Sequence, residues 1–250
     1  MHVSGSTLPV SIVIPAKNEA DNIRPLIGEI RNAMTGRYDY ELIYVDDGST
    51  DATFATLEAL QQEGFQELKV IRHASSVGQS IAIISGAWEA CGEWLVVLDA
   101  DGQNDPADIL GMLDALIAAH GKDQQVWGII GHRVNRRDDW VKRLSSKVAN
   151  GFRDLLLNDG IPDTGCGLKA VLRERYLRLP AFNHMHRYIP TLLQSQGGIM
   201  LVHAVNHRPR LAGKSNYGVW NRLWVGLVDV LGVWWLKRRA KVVVIRERRP

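Results

Sequence analysis

The stretch EWLVVLDADGQNDP, Glu93 to Pro106, joins two kinds of chain that rarely meet so abruptly. Its first part, Trp94 to Leu98, is apolar without interruption, the pattern of a strand buried on both faces of a parallel sheet. Its second part carries three carboxylates, Asp99, Asp101 and Asp105, with Gly102, Gln103 and Asn104 among them. Like charges crowded at the exit of a buried strand repel one another. Either they are solvated loop residues, or something positive sits among them.

Working outward, the first half repeats the same grammar. Candidate strands are SIVIPA from Ser11, ELIYVDD from Glu41, LKVIRH from Leu68, WLVVLDA from Trp94 and VWGIIGHR from Val126. Helical patterns lie between them, with Ser49 or Thr50 placed to cap DATFATLEALQQ and Pro106 suited to the first turn of PADILGMLDALIAA. Alternating strands and helices with short connections predict an α/β fold, a mostly parallel sheet covered on both faces. In the second half, residues 139–158 read as an amphipathic helix, CGLKAVLR and IMLVHAVNHRPR as strands, and HRYIPTLLQSQ as a helix. A loop, LAGKSNYG, precedes a last amphipathic helix from Val219 to Arg239.

A composition 46% hydrophobic and 23% charged is that of a folded globular chain. Cys91 and Cys166 are too few for a disulfide framework and read as two buried thiols of a reducing compartment. The N-terminal MHVSGSTLPVSIVIPAKNE lacks the features of a secretion signal. The longest apolar segment, LWVGLVDVLGVWWL, is too short to span a bilayer and carries Asp229. The net charge is only +3, yet basic residues crowd the segment from Arg133 to Arg153 and the tail after Leu236.

Ligands of open parallel sheets bind beyond the carboxyl ends of the strands. Here those ends carry Pro15 to Glu19, Asp46 to Ser49, Asp99 with Asp101, and Gly131 to Arg133. Two carboxylates one residue apart suit a hard cation that keeps waters and also takes phosphate oxygens, and Gln103 adds a neutral oxygen.

Together SIVIPAKNEADNI, LIYVDDGSTDAT, SVGQSIAIISGAWEACGEWLVVLDADGQNDP and GHR resemble the family 2 glycosyltransferases of the GT-A fold. Within these, the chain is similar to polyprenol-phosphate glycosyltransferases of the dolichol-phosphate mannose synthase and bacterial undecaprenyl-phosphate type, over about residues 9 to 217. The resemblance implies a Rossmann-like sheet and an enzyme. It implies that Pro15, Ala16, Glu19, Asp46, Asp47, Gln79 and Ala100 line the donor, with Asp47 accepting a hydrogen bond from the base. Asp99, Asp101 and Gln103 would hold Mg²⁺ or Mn²⁺. Arg133 would meet acceptor or diphosphate, Asp163 would serve catalysis, Lys169 the acceptor phosphate, and Arg210 would close over the diphosphate. Relatives often carry a basic residue where Gln79 stands, glutamate at Lys214 and lysine at Asn216, so the basic phosphate contact of that loop moves to Lys214.

The expected reaction attacks the anomeric carbon of a UDP- or GDP-linked sugar and inverts its configuration. A lipid monophosphate acceptor, with a second pKa of about 6 by analogy with phosphoserine, needs no strong base. Arg136, Arg137, Lys142, Arg143 and Lys147 supply cations, Arg143 and Lys147 sharing one helix face. Residues 1–217 form the catalytic domain; residues 218–250, rich in Trp and then in Lys and Arg, form a segment for a membrane interface or a partner subunit. The expectation is a peripheral protein on the cytoplasmic face of the membrane, with a separate membrane protein or a second copy open as partners.

Two alternatives stay open: a sugar-hydroxyl acceptor in polysaccharide or lipopolysaccharide assembly, and a non-catalytic basic protein. Nucleic acid is not expected, because strand-exit acids repel phosphates. GCGLKA fits a dinucleotide fingerprint but follows no strand, AGKS has Arg208 where a phosphate loop needs glycine, and the histidines of HMH lack a third ligand.

Overall fold

The computed structural model describes residues 9–134, 153–154, 156–209 and 219–241. Among these, seven strands form one sheet: β1 (Val10–Ala16), β2 (Tyr40–Asp46), β3 (Leu68–Arg72), β4 (Trp94–Val97), β5 (Val126–Arg133), β6 (Lys169–Leu172) and β7 (Ile199–Val205). Their order is β3-β2-β1-β4-β6-β5-β7. The five strands read from the first half all form. β1, β2, β3 and β4 are mutually parallel, and every residue of β1, β2 and β4 is buried, which is why their apolarity is nearly continuous.

β6 runs antiparallel to both its neighbours, pairing Val97 with Lys169 on one side and Ile130 with Lys169 on the other. β5 therefore points the same way as β4, and the ends of β1, β2, β4 and β5 open on one edge. That edge carries all four polar clusters picked out in the sequence.

The helices are α1 (Ala20–Met34), α2 (Thr53–Gln62), α3 (Gln79–Glu89), α4 (Asp108–Lys122), the single turn α5 (Arg173–Tyr176), α6 (Ile189–Ser195) and α7 (Val219–Arg239). Ile23, Leu26, Ile27, Ile30 and Met34 of α1, and Ile109, Met112, Leu113 and Leu116 of α4, recur at helical spacing and are buried. α2 is not capped by Ser49 or Thr50. Its first backbone N–H, on Thr53, goes to Asp51 Oδ1 at 2.9 Å, while Ser49 Oγ accepts from Asn18 N and Thr50 donates to Asn18 Oδ1. The two polar residues tie the β2 exit to the β1 exit instead. Pro106 lies just outside α4, its carbonyl accepting from Ile109 N at 3.1 Å. Of the expected helix over residues 139–158, most lies outside the described residues.

Cys166 is buried as expected, but Cys91 is exposed, because it lies in the turn that precedes β4 at the opposite edge of the sheet. α7 packs one face on the domain. Val230 and Val233 are buried, Asp229 pairs with His184 at 3.0 Å, and Lys237 donates to the carbonyl of Leu157. Its opposite face leaves Val228, Leu231 and Trp235 45–55% exposed. No helix among the described residues is long and apolar enough to cross a membrane.

Candidate active site

The exits of β1 and β2 form one wall. Asp47 N donates to Ala16 O at 2.9 Å, and Gly48 turns the chain with a φ of +65°. A Cβ at Gly48 would stand 2.6 Å from Ser76 N, so the loop reaching α3 can close only over glycine. That closure determines what Asp47 does. Its Oδ1 accepts from Val77 N at 2.9 Å and faces His73 Nδ1 at 2.8 Å; its Oδ2 accepts from Ser76 Oγ at 2.7 Å and Gly78 N at 2.9 Å. Burial alone would raise its pKa, but these four partners hold it below the ordinary carboxylate value. Four donors thus already meet the carboxylate expected to accept from a base, and a base would have to share or displace them.

Asp46 is fully buried, with Oδ1 accepting from Ser49 N at 3.0 Å. Its Oδ2 makes no hydrogen bond, and Arg72 Nε stands 3.4 Å away. Of the pair, Asp46 retains acceptor capacity. Pro15 and Ala16 are buried at the end of β1, and Glu19 accepts from Asn22 Nδ2.

The second wall surrounds the acids after β4. Gln79, the first residue of α3, donates from Nε2 to Asp99 Oδ1 at 2.8 Å. Its role here is to orient Asp99. A Cβ at Gly167 would fall 2.0 Å from Asp99 Oδ2 and 2.8 Å from Asn104 Oδ1, so only glycine admits the carboxylate. Asp101 accepts from Gln103 N at 3.1 Å, and Ala100 between the acids is buried. Burial, and next the charge of Asp101, push the Asp99 pKa upward, against Lys169, Arg133 and the Gln79 bond.

The loop after the acids is clamped from β7. Arg208 N donates to Gln103 O at 2.9 Å, Arg208 Nη2 reaches Asn104 O at 3.1 Å and Glu29 at 2.6 Å, and Asn206 holds Asp108. Arg208 is thus a structural clamp.

Arg133 at the end of β5 forms a two-point ion pair with Asp163, Nε to Oδ2 at 2.6 Å and Nη2 to Oδ1 at 2.7 Å. With both its oxygens tied to the guanidinium, Asp163 holds Arg133 in place. The loop bearing Asp163 is itself anchored by buried Asp159, which takes Arg153 and Thr191 Oγ1, while Arg153 Nη1 reaches Thr164 Oγ1 at 3.0 Å. Nothing in the local sequence marks that network, whose members come from three separate segments.

Lys169 is placed differently from expectation. It is 3% exposed on β6, its ammonium bonded to the Cys166 carbonyl. Its charge interacts with Asp99, Cys166 and Asp163, and burial lowers its pKa. Arg136, Arg137, Lys142, Arg143, Lys147, Arg210 and Lys214 lie outside the described residues.

The donor set fits a hard divalent cation. Asp99 is held by Gln79 and by the space at Gly167, Asp101 accepts from the backbone N–H of Gln103, and the side-chain amide of Gln103 follows two residues after Asp101. No three His, Cys, Asp or Glu side chains converge as a metal cage among the described residues. That suits a cation such as Mg²⁺, which keeps waters and takes phosphate oxygens rather than a full protein shell.

Comparison with known proteins agrees. The model for "Glycosyl transferase family 2" matches residues 11–178. The dodecaprenyl-phosphate galacturonate synthase of Rhizobium johnstonii is 30% identical over 93% of this chain and 68% of its own length. The undecaprenyl-phosphate 4-deoxy-4-formamido-L-arabinose transferase of Edwardsiella ictaluri is 34% identical over 84% of this chain. The present chain spans 63% of that relative's length. Among solved structures, the Mycobacterium tuberculosis glucosyl-3-phosphoglycerate synthase with Mg²⁺ and uridine diphosphate superposes with a TM-score of 0.66 at 18% identity, covering 95% of this chain and 81% of that one. A Pyrobaculum calidifontis mannosyltransferase with GDP-Man and Mn²⁺ gives 0.64 at 19% identity, covering 94% and 66%. At that identity these likenesses concern the fold, which is GT-A.

Proposed function

Because this chain belongs to glycosyl transferase family 2, we propose that it moves one sugar from a nucleotide-sugar to a polyprenyl phosphate. The observation that carries the reading is the pair Asp99 and Asp101, two carboxylates one residue apart at the end of β4, with Gln79 bonded to Asp99 Oδ1 at 2.8 Å. The two curated relatives named for polyprenyl-phosphate products support the acceptor. The donor is UDP- or GDP-linked.

Asp99, Asp101 and Gln103 would hold Mg²⁺ or Mn²⁺. When bound, the cation neutralises charge gathering on the departing diphosphate. The protein's own part is positioning. Gln79 orients Asp99, Asp163 orients Arg133, and the Arg133 N–H groups not spent on Asp163 are donors for phosphate. An acceptor that is mostly dianionic at neutral pH attacks without a strong base, which agrees with Asp163 being tied up. Single displacement inverts the anomeric configuration. Arg143, Lys147, Arg210 and Lys214 supply further phosphate contacts in this reading.

Residues 218–250 attach the enzyme to the cytoplasmic face of the membrane. Val228, Leu231 and Trp235 occupy one outward stripe of α7, followed by exposed Arg238, Arg239 and Lys241, a composition suited to the interface of anionic lipid. Incubating the protein with nucleotide-sugars, Mg²⁺ and a polyprenyl phosphate, and following the lipid by mass, tests the reaction. A glycosylated lipid phosphate of inverted configuration is expected; transfer only to a sugar hydroxyl would replace this reading with polysaccharide assembly. Leu231→Ser with Trp235→Ser should lower sedimentation with anionic vesicles, and unchanged sedimentation would remove the membrane role.

A further inference from the structure

Beside Asp99 lies a cavity of about 160 Å³, bounded by Gln79 and Ile83 of α3, Val97 and Asp99, the Thr164–Gly167 loop, Lys169, and His186, Arg187 and Ile189. That is room for on the order of ten waters, the scale of one monosaccharide. A donor sugar is bonded directly to the diphosphate, so it must lie beside whatever Asp99 and Asp101 bind. The cavity adjoining Asp99 is where that sugar falls.

Its charge balance is unusual. Lys169 is almost wholly buried, yet it makes no ion pair among the described residues and is bonded only to a carbonyl oxygen. Arg187 likewise has no carboxylate partner among them, whereas Arg133 nearby is neutralised by Asp163. His186, its Nδ1 2.7 Å from Ser80 Oγ, is kept neutral by burial and adds no charge. The single acid lining the cavity is Asp99, which the proposed reaction commits to a cation. Lys169 and Arg187 remain, and burial lowers the pKa of Lys169 because an unpaired charge in the interior is costly.

We propose that this cavity selects a donor whose sugar carries a carboxylate, a hexuronic acid, with Lys169 and Arg187 as its partners. The proposal rests on the transferase reading and deepens it. The same anion chemistry would suit the acceptor's phosphate, but the cavity's contact with Asp99 and its single-sugar size favour the donor.

Calorimetric titration of the full chain with Mn²⁺ separates the cases. UDP-glucuronate, UDP-galacturonate and GDP-mannuronate are compared with UDP-glucose, UDP-galactose and GDP-mannose. One uronate should bind at least about tenfold more tightly than its neutral counterpart, and Arg187→Gln or the near-isosteric Lys169→Met should bring the two together. Equal binding of acid and neutral sugars by the native protein overturns the proposal while leaving the transferase reading intact. So does a pair of variants that keep the uronate preference and instead raise the KM for a short-chain polyprenyl phosphate, which assigns the cations to the acceptor. Failure of every nucleotide-sugar to bind overturns both.

Discussion

Two pairs of aspartates leave the same edge of one sheet and are treated in opposite ways. At the end of β2, Asp47 is filled by His73, Ser76 and two backbone N–H groups and its pKa is depressed. At the end of β4, Asp99 is partly buried beside another acid, receives one amide from Gln79, and its pKa is raised. Filled carboxylates shape loops; crowded, under-compensated ones wait for a ligand. By this contrast the β2 exit is mainly scaffold and the β4 exit mainly chemistry, although both read alike as D-D and D-x-D in the sequence.

The largest effect should come at the second pair. Asp101→Ala is expected to keep the fold and lower turnover at least about a hundredfold, as loss of a preorganised charge-stabilising element does. Steady-state kinetics with a thermal melt checks it, and near-normal turnover in a folded variant would break the contrast. Gly167→Ala comes next. Its methyl would enter the space of Asp99 Oδ2, so Asp99 must turn away, and a turnover loss of about tenfold or more is expected alongside overpacking of about 1–3 kcal/mol. A variant with lowered melting temperature but intact turnover would mean that Asp99 needs no fixed position.

Asp47→Asn should do the reverse, affecting stability before chemistry. An amide cannot satisfy four donors, and losing a charged hydrogen-bond acceptor costs about 2 kcal/mol. Because the folded-state pKa of Asp47 lies below its unfolded value, its contribution is complete above the ordinary carboxylate pKa of about 3.9 and fades as pH falls through the folded value. Denaturant melts of both proteins should therefore differ most near neutral pH and converge in acid. A constant difference down to the lowest accessible pH would show that shape, not charge, holds the loop.

Much of this site was legible because parallel strands buried on both faces advertise themselves by continuous apolarity, and their exits follow at once. β4 and its acids were legible for that reason. What escaped was whatever depends on partners far away in sequence. The donors that fill Asp47 come from His73 and residues 76–78, some thirty positions on. Strand patterning gives no direction, so CGLKAVLR announced β6 but not its antiparallel insertion between β4 and β5. That insertion is what buries Lys169, a residue type normally found at the surface. Local signals also misled at Ser49 and Thr50, whose hydroxyls meet Asn18 instead.

α7 tests which side of the contrast a third region belongs to. Asp229 meets His184 at 3.0 Å, in a loop that leads within two residues to His186 and Arg187 of the cavity. An ion pair with both side chains partly accessible contributes little, so Asp229→Asn should cost no more than about 1 kcal/mol in a chemical melt. If α7 is scaffold, kcat and the KM values for donor and lipid should stay within about twofold, since the buried Val230 and Val233 still hold the helix. A lipid KM that rises well beyond that small loss of stability would place the helix with the chemistry. The His184 turn would then be its mechanical link to the sugar cavity, and the division of the edge into scaffold and site would run through α7 rather than stop before it.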